Sequence, residues 1–200
     1  MDPEEFSPVE TEFQKRLMDN PNFREALMVA CENSRGKLWL IGGSVFRTLA
    51  NIMYGTPIPD KTDFDFVVEE LEKTAVCREK DGWRLELNHY KNPKLIKGDL
   101  SVDLVPLATV HSIVRRGCEP TIENFLTGTP LNIQSVVYDC ARRQIMGEIG
   151  IKALQTKTVA VNDPIQATYH AERKNTTVAE LLKKYASELH FAYEDPDWMG

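Results

Sequence analysis

Three aspartates offer the plainest chemistry in this sequence. Asp63-Phe64-Asp65-Phe66 sets two carboxylates at alternate positions. On an extended strand alternate side chains share a face, so Asp63 and Asp65 point one way and the phenylalanines the other. The carboxylates then stand about 7 Å apart along the strand, close enough to converge on shared cations. The strand continues through the apolar Val67 and Val68. Neighbouring anions on so apolar a strand are tolerated only when exposed or neutralised by metal. Asp103 stands alone in Ser101-Val102-Asp103-Leu104-Val105. If the two strands pair, about 4.8 Å apart, Asp103 reaches the same cations. Unpaired, it reads as an edge charge that deters aggregation.

A second feature suits phosphate. Leu38-Trp39-Leu40-Ile41 is a compact apolar run and reads as a buried strand. Gly42-Gly43-Ser44 follows, then Val45, Leu49 and Ile52-Met53 at helical spacing. Glycine lets a phosphate approach the backbone, and a helix N-terminus offers free N–H groups. Ser44 adds a hydroxyl and is expected to cap the helix, which runs to about Met53.

Other elements must hold these parts in place. The first eight residues, with Pro3 and Pro8, read as loose. Val9, Phe13 and Leu17 fit one helix face, and Pro21 interrupts them. Phe23, Leu27 and Val29-Ala30 suggest a second short helix ending before Gly36. The stretch 54–61 holds Gly55, Pro57 and Pro59 and reads as a loop. Strands are expected at 63–68, at 83–87 and, after Leu95-Ile96 and a turn through Lys97-Gly98-Asp99, at 100–107. A short helix over 110–114, a hairpin or strand–turn unit from 133–138 and 144–146, and a strand at 157–161 follow. Residues 177–191 form an amphipathic helix on Val178, Leu181, Leu182, Tyr185 and Leu189. The sum is an α/β (α+β) fold, a mixed twisted sheet flanked by helices with a short C-terminal helical appendage.

The order strand, Gly-Gly-Ser, helix, loop, Asp-x-Asp strand and later Asp strand resembles the DNA polymerase β nucleotidyltransferase superfamily. It is most similar to the head domain of class II poly(A) polymerases and CCA-adding enzymes. The matching text is Gly42-Gly43-Ser44-Val45-Phe46-Arg47, then Pro59-Asp60-Lys61-Thr62-Asp63-Phe64-Asp65. Leu131-Asn132-Ile133-Gln134-Ser135-Val136-Val137-Tyr138 and Asn162-Asp163-Pro164-Ile165-Gln166 match later motifs, so the resemblance runs from about Trp39 to Asp163.

The resemblance implies a head domain over 1–162 and a neck-like helical segment with an acidic tail over 163–200. It implies an enzyme that moves a nucleoside monophosphate from an NTP to a hydroxyl on an RNA end, a protein or a small molecule. Asp63, Asp65 and Asp103 would hold two Mg²⁺ ions, with Mn²⁺ as a substitute. Gly42, Gly43, Ser44 and Arg47 would meet the nucleotide, and Asp163 and Gln166 would read its base.

Three departures stand out. Gly128-Thr129-Pro130 replace two arginines and an aspartate. Gln166 replaces an arginine, exchanging a charged fork for an amide. Arg47 stands one position later than its counterpart, with Phe46 in that place. The alternative reading is a non-catalytic nucleotide-binding or regulatory relative.

Bulk properties narrow the partners. The 200 residues carry a net charge of −6, which argues against a large non-specific nucleic-acid footprint. With one candidate neck helix, full CCA addition to tRNA is not expected. Met1-Asp2-Pro3-Glu4-Glu5 lacks a signal-peptide pattern, and no apolar run matches a bilayer. Cys31, Cys77, Cys118 and Cys140 form no C-x-x-C pair and read as reduced thiols of a cytoplasmic protein.

The remaining residues of note get plainer readings. His89, His111, His170 and His190 read as scattered surface or core residues, Trp83 as packing and Trp198 as peripheral. Arg115-Arg116 reads as a solvated helix face, and Lys94 and Lys97 as lysines able to approach a triphosphate.

Overall fold

A computed structural model of the chain describes residues 3–58, 62–72, 82–88 and 90–195. Pro59, Asp60 and Lys61 of the matching stretch, with Cys77, His89 and Trp198, lie outside the described residues.

Helix α1 spans Pro3–Asp19 and α2 spans Pro21–Glu32. The opening stretch is therefore helical, not loose. Pro3 stands at the start, where a missing N–H costs nothing, and Pro8 is accommodated inside the helix. Asn20 caps α2, its side chain accepting from the Asn22 and Phe23 amides, and Pro21 follows at the first helical position.

Strand β1 (Ser34–Ile41) leads through Gly42 into α3 (Gly43–Tyr54). The strands β2 (Asp63–Leu71), β3 (Arg84–Leu87), β4 (Pro93–Lys97) and β5 (Leu100–Pro106) come next. Two short helices follow, α4 (His111–Arg116) and α5 (Ile122–Thr127). The hairpin is β6 (Val137–Asp139) and β7 (Gln144–Met146), with Ile133 in a 3₁₀ turn over Asn132–Gln134 instead of on the strand. Helix α6 (Glu148–Thr156), strand β8 (Thr158–Val159), helices α7 (Pro164–Arg173) and α8 (Val178–Leu189) and strand β9 (Ala192–Tyr193) complete the chain.

Seven strands form one mixed sheet in the order β3-β4-β5-β2-β1-β6-β7. Its central pair, β2 and β5, is parallel, and every other neighbouring pair is antiparallel. Side-chain alternation divides this sheet cleanly. Leu38, Leu40, Phe64, Phe66, Val102 and Leu104 face a large core shared with α1, α2 and α3. Trp39 and Val67 face the other way, into a smaller cluster with Ile113, Ile122 and Leu126 of α4 and α5. The second face is thus covered at one end only, and the aspartates occupy its open end.

Helices α7 and α8 share the large core through Ala167, Ala171, Leu181 and Leu182. The Tyr185 ring meets Phe46 edge-on at 5.9 Å, and β9 pairs in parallel with β8. Among the described residues, no helix is long and apolar enough to cross a membrane.

Candidate active site

The parallel pairing of β2 with β5 sets Asp65 directly beside Asp103 and Asp63 beside Ser101. All four alternate with core residues, so they share the open face. The Ser101 hydroxyl donates to Asp63 Oδ1. Asp103 accepts from Asn88 Nδ2 at 2.8 Å through Oδ1 and from Lys94 Nζ at 2.9 Å through Oδ2. Burial draws the Lys94 ammonium down. The bond to Asp103 and the charges of Asp103, Asp63 and Asp65 outweigh it and leave the group above its usual value. Among the described residues, no three carboxylate, histidine or cysteine side chains meet as a ready metal cage.

The glycine turn abuts this cluster. Gly42 has φ 72° and ψ −151°, a conformation that penalises a side chain. A Cβ there would sit 3.2 Å from Asp65 Oδ2, so the turn presses its backbone against the carboxylate. A Cβ on Gly43 would strike the Arg47 guanidinium. The expected cap does not form: Gly42 takes the cap position without a side-chain bond, because the positive φ turns the chain two residues earlier than Ser44. Ser44 donates instead to the Asp63 carbonyl at 3.2 Å, fastening the helix start to β2. The first-turn amides of α3 are left without a side-chain cap, as an anion site requires.

Arg47 is buried and turned to α8. Its Nη2 donates to Glu188 Oε2 at 2.8 Å, with Phe46 and Tyr185 under the guanidinium. The arginine predicted to meet the nucleotide therefore also ties α3 to α8.

Asp163 and Gln166 lie on α7. Asp163 caps that helix, Oδ1 accepting from the Gln166 amide at 3.0 Å, while Oδ2 accepts from Arg115. Arg115 is thus drawn inward by a buried carboxylate and is not on a solvated face. Arg116 likewise bonds the Asn124 carbonyl and the Thr127 hydroxyl.

Between Gly42 and Gln166 lies a cavity of about 220 Å³. Ile41, Val105, Val110 and Phe125 supply apolar walls, and His111, Gln166 and His170 supply polar groups. Gly128, Thr129 and Pro130, which replace the charged triplet, form a neutral wall. His111 Nδ1 lies 2.9 Å from Gln166 Oε1, and its ring stacks on Tyr169 at 4.0 Å. His170 Nε2 is buried without a partner. Burial, with Lys174 and Lys184 nearby, pushes His170 down to about 4, so it is neutral at neutral pH.

His111 and His170 line this cavity, although the sequence marks neither as a candidate site residue. His111 meets Gln166 across 55 residues, which no local spacing reveals. The Lys94–Asp103 pair did leave a signal: counting back symmetrically from the Gly98-Asp99 turn pairs Lys94 with Asp103. Trp83 is buried, in keeping with a packing role.

No family model and no curated protein sequence matches the chain. Solved structures do. A structure described as a tRNA-processing enzyme in apo form I aligns over 97% of this chain and 45% of its own, with TM-score 0.56 and 17% identity. A tRNA nucleotidyltransferase complexed with a primer tRNA and an incoming ATP analog aligns over 79% and 43%, with TM-score 0.54 and 16% identity. A CCA-adding enzyme in complex with CTP aligns over 89% and 46%, with TM-score 0.52 and 14% identity. The chain spans less than half the length of these proteins. Over the aligned part, the chain shares the fold of these tRNA nucleotidyltransferase and CCA-adding enzyme structures.

Proposed function

We propose that this chain is a Mg²⁺-dependent nucleotidyltransferase that moves a nucleoside monophosphate from an NTP to a hydroxyl acceptor. The observation that carries the reading is the shared open face of Asp63, Asp65 and Asp103, set beside the uncapped start of α3. Carboxylate oxygens are the donors that Mg²⁺ prefers, and an Asp-rich face next to an uncapped helix start suits a mixed protein–phosphate shell. In this reading Asp63 and Asp65 hold both ions and Asp103 joins them at one. Bound Mg²⁺, or Mn²⁺ in its place, would supply charge stabilisation at the attacking and leaving oxygens.

The chain's own residues do the rest. Gly42, Gly43 and Ser44 cradle the triphosphate, and Arg47 holds α3 in position from behind. The acceptor oxygen bonds to the α-phosphorus as the bond to the bridging oxygen breaks and pyrophosphate leaves. Asp103 accepts the hydroxyl proton. The base enters the cavity lined by His111 and Gln166, with Asp163 supporting Gln166 from the cap position.

The acceptor is an RNA end, a protein or a small molecule, and the place of work is the cytoplasm. The chain divides, on this reading, into a head over 1–162 and a neck-like segment over 163–200. One observation favours the alternative of a non-catalytic nucleotide-binding relative: both Asp103 oxygens are already engaged by Asn88 and Lys94. The deciding experiment incubates purified protein with each labelled NTP, Mg²⁺ and a mixed acceptor pool. Transfer of label supports the enzyme, and nucleotide binding without transfer supports the relative.

A further inference from the structure

Lys94 stands inside the acidic cluster as a resident cation. The Gly98-Asp99 turn joins β4 to β5, and the pairing sets Lys94 directly opposite Asp103. The position is fixed by backbone register, not by a chance reach of a long side chain. The ammonium holds Asp103 Oδ2 at 2.9 Å while Asn88 holds Oδ1 at 2.8 Å. The carboxylate is 14% exposed and the lysine 30%, so water screens the pair less than it would a surface bridge. A divalent ion approaching Asp103 meets a like charge already seated on its ligand.

We propose that Lys94 competes with a divalent cation for Asp103, so that the cluster takes its first ion on Asp63 and Asp65 and engages Asp103 only after Lys94 leaves. The proposal rests on the reading of the three aspartates as metal ligands. A triphosphate laid against Gly42 and Gly43 offers Lys94 a second anionic partner. Nucleotide arrival then frees the third aspartate, and the lysine couples substrate binding to completion of the site.

The test is a Mn²⁺ titration of the full chain followed by electron paramagnetic resonance, without nucleotide. Wild type, Lys94→Met, Lys94→Arg and Asp63→Asn are compared, and Asp103→Asn is made in the wild-type and Lys94→Met backgrounds. Circular dichroism confirms that each is folded. Lys94→Met is expected to bind Mn²⁺ more tightly, on the order of tenfold, and Lys94→Arg to match wild type. Asp103→Asn should remove the gain in Lys94→Met. If Lys94→Met does not fold, Lys94→Gln takes its place, and Mn²⁺ binding equal to wild type in that variant overturns the proposal. Binding lost in Asp63→Asn but equal in wild type and Lys94→Met overturns the lysine's role alone. Absence of Mn²⁺ binding in every form overturns the metal-site reading with it.

Discussion

Asp65 and Asp103 are direct partners across the parallel β2–β5 pair, although 38 residues of sequence, a hairpin included, separate their strands' equivalent positions Asp63 and Ser101. A parallel pair fixes which side chains stand abreast, so the two carboxylates share one face at one level. The predictions below follow from that placement and from the turn and cavity beside it.

Gly42→Ala should lower both stability and nucleotide affinity. The substitution places a side chain at φ 72° and brings its Cβ to 3.2 Å from Asp65 Oδ2. The backbone term alone costs about 1–3 kcal/mol. Urea denaturation gives the first effect, and calorimetric titration with an NTP gives the second.

Arg115→Ala should alter discrimination among bases more than metal dependence. Arg115 and the α7 amide together engage both oxygens of Asp163, and Gln166, three residues on, lines the cavity. Releasing Asp163 leaves a buried carboxylate short of a partner, and the first turn of α7 should shift. Binding constants for the four NTPs, measured in wild type and variant, check this; an unchanged ranking contradicts it.

His170 should make the fold acid-sensitive. Its folded-state value of about 4 lies below the ordinary 6.5, because burial and then Lys174 and Lys184 oppose the charge. Between those values the unfolded chain binds the proton first, so stability falls as pH drops from about 6.5 towards 4. His170→Phe should flatten that part of the curve, read from melting temperatures at a series of pH values.

Thr177→Ala tests a local device away from the site. Thr177 Oγ1 accepts from the Glu180 amide at 3.2 Å, and Glu180 Oε2 accepts from the Thr177 amide at 2.9 Å. Loss of this capping box should cost about 1 kcal/mol in urea denaturation. Nucleotide affinity should stay at the wild-type value.

The parts of the site that were legible in the sequence are those written in alternation and adjacency. The Asp-x-Asp strand and the strand–glycine–helix junction could be read because an apolar period betrays each element. Helix α7 could have been read from its start, since Asp163 at the cap followed by Pro164 is a helix-opening signature. The helix over residues 3–8 is hidden by two prolines, Pro3 at its first position, where proline is tolerated, and Pro8 in its interior, where proline ordinarily argues against a helix. The cavity was not legible at all. Ile41, His111 and Gln166 come from separate elements, and only the packing of α4 and α7 beside the glycine turn brings them together.

The central claim is that Asp63, Asp65 and Asp103 act as one catalytic set. The most direct measurement compares NTP turnover and Mg–NTP affinity in Asp103→Asn, with Asp63→Asn and Asp65→Asn alongside. Asp103→Asn should abolish transfer while largely sparing Mg–NTP binding, because the nucleotide-associated ion is assigned to Asp63 and Asp65; the other two substitutions should damage both. Full transfer activity in any one of the three variants would contradict the account.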